Sequence, residues 1–152
     1  MERVPNDSRI KSISFACGGW LQFYLFGVGK AFQDHGLDEN ITFLGTSAGA
    51  LAAACICLKG SFDHAIHFAK EHCVPKAYQS FSGLFRVGEF VSNCLDSNDE
   101  LSKWRNLSPG QLQIAITRLP YLNAERVTAF ESEEDLKPVS YTHLTLPTIY
   151  SV

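Results

Sequence analysis

Residues 41–58 (ITFLGTSAGALAAACICL) place one serine in the pattern Gly-x-Ser-x-Gly between two apolar runs. The first run, residues 41–44, is short and rich in β-branched and aromatic side chains, which favours a strand. The second run, residues 48–58, has no polar face, which is typical of a helix buried on most sides. A strand that turns sharply into a buried helix belongs to a layered α/β core. The turn at Ser47 is therefore the strongest constraint on the fold.

The rest of the chain repeats this alternation of strands and helices. Hydrophobic spacing predicts strands over residues 11–16, 41–44, 111–119 and 126–130. It predicts helices over residues 20–35, 48–58, 62–73 and 83–95, with Pro75 ending the third helix and a polar loop over residues 96–109. Such alternation favours an α/β fold, with a mostly parallel sheet covered by helices on both faces.

Composition narrows the functional class. The chain has 152 residues, which suits one domain, and its net charge of −3 comes without a basic run that could neutralise nucleic-acid phosphates. The N-terminal residues have no signal-peptide core, so we expect a cytoplasmic protein. The five cysteines are predicted to be reduced thiols, since their number is odd and their spacing does not fit a zinc site. We expect no metal, cofactor or nucleic acid.

Ser47 is a candidate catalytic nucleophile. The residues around it, Gly45, Thr46, Ala48 and Gly49, complete the nucleophile-elbow pattern, in which a tight turn exposes the serine at the carboxyl edge of the sheet. The helix that follows presents its positive end to a developing anion. The alternative is a strand–helix turn in which the serine is one small residue among others.

A second turn offers a site for that anion. Residues 15–20 (FACGGW) place Gly18 and Gly19 between the first predicted strand and the first predicted helix, where backbone N–H groups have no helical partner. We therefore predict that Gly18 and Gly19 form an oxyanion hole. There are two alternatives. The first is a strand–helix turn that needs glycine for its geometry alone. The second is a dinucleotide-binding loop, but its Gly-x-Gly-x-x-Gly pattern is absent.

The chain offers no convincing base for Ser47. Three histidines lie on the next predicted helix and are expected to face solvent: His64, His67 and His72. Four aspartates lie in helical or polar stretches rather than after a strand: Asp63, Asp96, Asp99 and Asp135. The sequence therefore predicts a nucleophile and an anion site without a proton acceptor.

These residues resemble the patatin-like phospholipase family, of the adiponutrin and adipose-triglyceride-lipase type. The resemblance rests on "ISFACGGWLQFYLFGVGKAF" and "FLGTSAGALAAACICL" and extends to "LQIAITRLP" and "RVTAFESEEDL". It covers residues 10–137, which would be the N-terminal part of such a domain. It implies a three-layer α/β/α fold, truncated in this chain, and a lipid acyl hydrolase that uses a Ser–Asp dyad. By this resemblance Ser47 is the nucleophile, and Gly18 and Gly19 belong to the oxyanion hole.

The chain departs from the family pattern in two places. The family's loop usually reads Gly-x-Gly-x-x-Gly, whereas Cys17 and Gln22 stand at its first and last glycine positions. The family's aspartate lies in an Asp-Gly-Gly or Asp-Gly-Ala motif, and these 152 residues contain no Asp-Gly pair. The resemblance implies that the intact protein, which would contain this aspartate, is active. Because the motif is absent here, we expect this fragment to be inactive.

The last residues explain the missing motif. Residues 138–148 (PVSYTHLTLPT) look like a translation of the transposon-end adapter used in sequencing libraries, in which CTGTCTCTTATACACATCT encodes residues 139–143. We therefore predict that residues 138–152, which include His143, are a non-native adapter-derived tail. A natural extended tail is the alternative.

Three functions remain open from the sequence. The first is a phospholipase or triacylglycerol lipase, with a lipid ester as substrate and a membrane or lipid-droplet surface as a peripheral location. The second is a catalytically inactive relative that binds lipid. The third is an α/β-hydrolase with a histidine triad. The resemblance favours the first. Five aromatic residues are candidates for lining an acyl pocket, with packing in the core as the favoured alternative: Trp20, Phe23, Phe26, Phe81 and Phe85.

Overall fold

A computed structural model describes residues 10–79, 99–118, 123–132 and 136. The helices are α1 (Gln22–Asp34), α2 (Ala48–Cys57), α3 (Phe62–Phe68) and α4 (Val74–Tyr78). The strands are β1 (Ser12–Phe15), β2 (Thr42–Gly45), β3 (Leu112–Arg118) and β4 (Asn123–Val127). Short 3-10 segments cover Gly19–Leu21 and Asp99–Asn106. None of the helices described is long and apolar enough to cross a bilayer.

The four strands form one mixed sheet in the order β1-β2-β3-β4. β1 pairs with β2 and β2 pairs with β3 in parallel, with Phe15 opposite Gly45 and Gly45 opposite Ile114. β4 returns antiparallel to β3. The α/β class and the mostly parallel sheet predicted from the sequence are confirmed.

One face of the sheet is buried and the other is not. Since the side chains of paired residues in a sheet share a face, the register places five buried residues together: Phe15, Phe43, Gly45, Leu112 and Ile114. The opposite face carries residues that are exposed or half-buried, several of them polar: Ser12, Ser14, Thr42, Leu44, Gln113 and Ala115. The described residues therefore supply the sheet and the helical layer on one face.

Helices α1 and α2 form that layer. Each connects two neighbouring parallel strands, and right-handed crossovers in the same direction place both helices on the same face. The helices pack against each other, and α2 also contacts β1, β2 and β3. The ring of Phe32 on α1 packs edge-on against the rings of Phe15 and Phe43, each at 6.3 Å between centroids.

Small residues let α2 approach the sheet closely. Its sequence is AGALAAACIC, and nine of its ten residues are buried. Cys57 lies near its end, and burial raises the pKa of this thiol to about 12, from an ordinary value of 9.0. The thiol therefore stays protonated and behaves as a small apolar side chain.

Pro75 does not end the third predicted helix, and that prediction was wrong. The chain passes from α3 through a π-helical segment, Ala69–Cys73, directly into α4. Pro75 lies in the first turn of α4, where its missing N–H group costs no hydrogen bond. At the other end, the Ser61 hydroxyl accepts a 3.1 Å hydrogen bond from the backbone N–H of His64, which caps α3.

Most other predicted elements are confirmed within one to three residues. The predicted helix over 20–35 begins with a 3-10 turn, and the predicted loop over 96–109 contains the 3-10 segment Asp99–Asn106. The last strand begins three residues earlier than predicted. The predicted helix over 83–95 and the tail over 138–152 lie outside the described residues.

Candidate active site

Ser47 is the second residue of a two-residue turn, Thr46–Ser47, between β2 and α2. Its backbone has φ 54° and ψ −126°, a conformation that L-residues rarely adopt. Such a conformation costs on the order of 1–3 kcal/mol and persists only when the surrounding structure imposes it. Ser47 is the N-cap residue of α2, yet its side chain forms no capping hydrogen bond. The hydroxyl oxygen is therefore not used to hold the helix.

The two glycines of the pattern are required by close backbone contacts. A Cβ atom on Gly45 would lie 2.5 Å from the Cα of Ala50, and one on Gly49 would lie 2.3 Å from the carbonyl oxygen of Phe15. Both neighbours are backbone atoms that cannot rotate away. The start of α2 therefore lies directly against the ends of β1 and β2, which forces the chain to reverse within the two residues Thr46 and Ser47.

A hydrogen bond joins the turn to the first strand. The backbone N–H of Thr46 donates to the carbonyl oxygen of Phe15 at 3.2 Å, which continues the pairing of β2 with β1 beyond Gly45. Since β1 and β2 are parallel, their carboxyl ends lie at the same edge of the sheet. The loop that follows β1 therefore begins beside Ser47.

That loop contains both residues predicted for the oxyanion hole. Gly18 has φ −149° and ψ −7°, and Gly19 has φ 51°, in the left-handed region that glycine adopts without strain. The Gly18 carbonyl accepts a 2.9 Å hydrogen bond from the N–H of Leu21, which closes the 3-10 turn. This turn contacts α2. The structure therefore brings the glycine loop and the serine helix together, while the role of the glycine amides stays a prediction.

Gln22 is a residue of this region whose burial sequence reasoning missed. It begins α1 directly after the glycine loop and is only 6% exposed. Its Oε1 is buried and has no hydrogen-bond partner among the described residues. An unpaired buried acceptor costs about 1–3 kcal/mol. The signal was present, since Gln22 replaces the last glycine of the family loop.

Of the histidines and carboxylates considered as bases, those that the structure describes are exposed or paired with another residue. His64, His67 and His72 are all exposed, and the ring of His72 packs against Phe68 at 4.9 Å. Asp63 pairs with Lys30 at 3.0 Å. Asp96 and Asp135 lie outside the described residues, as does the side chain of Asp99. None of the described candidates forms a hydrogen bond with Ser47.

The aromatic residues proposed for an acyl pocket differ in burial. Phe26 is buried and packs against Phe62 at 5.7 Å between ring centroids, so it belongs to the core. Trp20 and Phe23 are half-buried and contact each other at the start of α1. Phe81 and Phe85 lie outside the described residues. Only Trp20 and Phe23 therefore remain as described candidates for lining an acyl pocket.

Gly49→Ala is expected to lower the free energy of unfolding by several kcal/mol, because the added Cβ meets the Phe15 carbonyl and the helix must move. Gly27→Ala is the matched control. A Cβ on this exposed glycine of α1 has no atom within 4 Å, so the substitution should raise the free energy of unfolding by about 0.5–1 kcal/mol. Urea denaturation measures both. Equal effects of the two substitutions would contradict the close contact at Gly49.

Ser47→Gly is expected to be more stable than Ser47→Ala by about 1–2 kcal/mol, because glycine adopts φ 54° without strain and alanine does not. Both variants lack the hydroxyl group, so the difference between them isolates the backbone strain. The midpoints of urea unfolding give the comparison. An alanine variant as stable as the glycine variant would show that the turn is unstrained.

The comparisons with known proteins identify the family. Searches of curated proteins and of solved structures found no match. A family profile described as patatin-like phospholipase matches residues 13–147. This range includes part of the predicted adapter-derived tail, whose origin stays a prediction. The match spans most of the 152 residues, and the α/β character of the fold is consistent with this family. The chain therefore belongs to the patatin-like phospholipase family, a family of lipid acyl hydrolases.

Proposed function

We propose that the protein is a serine-dependent lipid acyl hydrolase with Ser47 as its nucleophile. The observation that carries the proposal is the backbone of Ser47, at φ 54° and ψ −126° between a strand and a buried helix. Stability alone does not favour this conformation, since a glycine there would avoid the strain. A strained serine whose hydroxyl does not cap its helix supports a chemical role for that hydroxyl.

The proposed reaction has two steps. The Ser47 oxygen attacks the ester carbonyl while a base accepts the hydroxyl proton. The tetrahedral oxyanion lies against the backbone N–H groups of Gly18 and Gly19 and near the positive end of α2. The proton then passes to the departing alcohol, which leaves an acyl group on Ser47. Water activated by the same base hydrolyses this acyl-enzyme and restores the serine.

The base is proposed to be an aspartate that is not among these 152 residues. The family resemblance implies a Ser–Asp dyad, and no Asp-Gly pair is present among the 152 residues. Within the described residues, Asp34 and Asp63 pair with Lys30 and Asp38 pairs with Lys59, so these carboxylates have other partners. We therefore propose that the natural protein continues beyond Lys137 to this aspartate and that the present chain is inactive.

One observation favours a second function, a lipid-binding relative that has lost activity. Cys17 and Gln22 replace glycines of the family loop, and the Gln22 side chain leaves a buried oxygen without a described partner. Such a loop could hold a lipid ester without stabilising the oxyanion. An absence of hydrolysis by the natural-length protein would support this second function, whereas an intact Asp-Gly motif in that protein would count against it.

The substrate class proposed is a lipid ester, either a phospholipid or a triacylglycerol, as in the adiponutrin and adipose-triglyceride-lipase type. The location proposed is cytoplasmic and peripheral, at a membrane or lipid-droplet surface. These assignments rest on the family alone.

Hydrolysis by the natural-length protein tests the proposal. We expect this protein, read from the native transcript beyond Lys137, to hydrolyse a nitrophenyl ester and a phospholipid. Ser47→Ala should lower kcat by about a thousandfold or more, as removal of a nucleophile does in other serine hydrolases. The 152-residue chain should show no activity above the buffer rate.

Ser108→Ala serves as the matched control, because Ser108 is an exposed serine in the loop before β3, at the edge of the sheet opposite to Ser47. Its kcat should equal that of the unmodified protein. Hydrolysis that survives Ser47→Ala would contradict the assignment of the nucleophile. Activity of the 152-residue chain that Ser47→Ala abolishes would contradict the assignment of the base.

A further inference from the structure

Gln22 carries a side-chain amide that the described part of the protein buries without using. The residue is 6% exposed, and its Oε1 is buried with no hydrogen-bond partner. The other polar atom of the amide, Nε2, forms no hydrogen bond with a described residue and is not among the fully buried atoms. The amide of Gln22 therefore has its oxygen enclosed and its NH2 group accessible.

The position of Gln22 along α1 places it level with Ser47. Because α1 and α2 both connect parallel strands, they run in the same direction, and both begin at the carboxyl edge of the sheet. Near the other end of α1, the Nε2 of Gln33 donates to the carbonyl oxygens of Cys55 at 3.4 Å and Gly60 at 3.2 Å, at the end of α2. Gln22 precedes Gln33 by eleven residues, or about 16 Å of helix, and the ten residues of α2 span about 15 Å. Gln22 therefore lies at the level where α2 begins.

Gln22 also lies on the face of α1 that packs against other helices. The buried residues of α1 are Gln22, Phe26 and Gly29, and their spacing places them on one face together with Gln33. The ring of Phe26 packs against Phe62 on α3, and Gln33 bonds to the end of α2. Side chains of a helix lean toward its N-terminal end. The amide of Gln22 therefore leans toward the carboxyl edge of the sheet, where the 3-10 turn before it contacts α2.

Stability alone does not favour glutamine at this position. The buried oxygen loses its hydration and gains no bond from a described residue, which lowers the free energy of unfolding. Methionine would fill a similar volume without a buried polar atom. A residue that costs stability at the level of the proposed nucleophile is typical of a group that acts in the reaction.

We propose that the Nε2 of Gln22 donates a hydrogen bond to the oxyanion that forms at Ser47. This inference rests on the proposed hydrolase function. As the Ser47 oxygen bonds to the ester carbon, one electron pair of the C=O bond moves to the carbonyl oxygen, and the serine proton passes to the base. The amide of Gln22 stabilises this negative charge together with the backbone N–H groups of Gly18 and Gly19. When the C=O bond re-forms, the alcohol leaves with the proton and the hydrogen bond weakens.

A side-chain amide has the chemistry that this role requires. Asparagine and glutamine side chains are among the groups that serve as oxyanion donors. The glycine that Gln22 replaces in the family loop has no side chain, so the donor is an addition at this position. The departure of the loop from its family pattern is therefore compatible with catalysis.

Gln22→Met in the natural-length protein tests the proposal by kinetics and by urea unfolding. The kcat for a nitrophenyl ester should fall about 100- to 1,000-fold with KM nearly unchanged, because the hydrogen bond strengthens only as the oxyanion forms. The midpoint of urea unfolding should stay the same or rise, because no buried oxygen is left unpaired. Gln22→Glu keeps the length of the side chain but loses the donor, so it should lower kcat at least as far.

Gln33→Met is the matched control. Gln33 lies on the same face of α1, and its Nε2 bonds to two carbonyl oxygens of the protein. Its replacement should lower the urea midpoint and leave kcat unchanged. Three results for Gln22→Met would overturn the proposal: a kcat equal to that of the parent, a rise in KM alone, or a fall in the urea midpoint as large as that of Gln33→Met.

Failure of this proposal is distinguishable from failure of the hydrolase function. Ester hydrolysis that Ser47→Ala abolishes and both Gln22 variants retain would support the hydrolase and overturn the role of Gln22 alone. A natural-length protein that hydrolyses no ester would contradict the hydrolase. The role of Gln22 would then be overturned as well, since no oxyanion would form.

Discussion

The structure around Ser47 depends on the backbone contact between the start of α2 and the ends of β1 and β2. Cβ atoms at Gly45 and Gly49 would lie within 2.5 Å of backbone atoms of the neighbouring elements. This contact leaves the chain two residues, Thr46 and Ser47, in which to pass from strand to helix, and Ser47 takes φ 54°. The strained serine is therefore a consequence of how closely the helix approaches the sheet.

The core below this contact supplies the free energy that holds the strained turn. The alanine-rich α2 lies close to the sheet, and the rings of Phe15, Phe32 and Phe43 pack together beside it. Burial of such side chains contributes about 1.5–3 kcal/mol each. Together, the three rings contribute more than the order of 1–3 kcal/mol that the turn costs. The strain is thus maintained by packing that does not involve the site itself.

Sequence reasoning predicted the part of the fold that depends on local patterns. The strand β2, the buried helix α2 and the two glycines of the turn all follow from short-range spacing around Ser47. It failed where tertiary contacts decide. Pro75 was expected to end a helix, but a π-helical segment carries the chain past it. The burial of Gln22 does not follow from the spacing of apolar residues, and the sequence signal for it was that Gln22 replaces the last glycine of the family loop. The base could not be predicted, because no residue of the chain matches the family's Asp-Gly motif.

Covalent labelling of the natural-length protein with a fluorophosphonate tests the central claim most directly. This reagent phosphonylates activated serines, and peptide mass spectrometry locates the adduct. The strained turn and the proposed dyad predict one adduct, on the peptide that contains Ser47, and its loss in Ser47→Ala. An adduct on another serine, or ester hydrolysis without any adduct at Ser47, would contradict the claim that this turn carries the nucleophile.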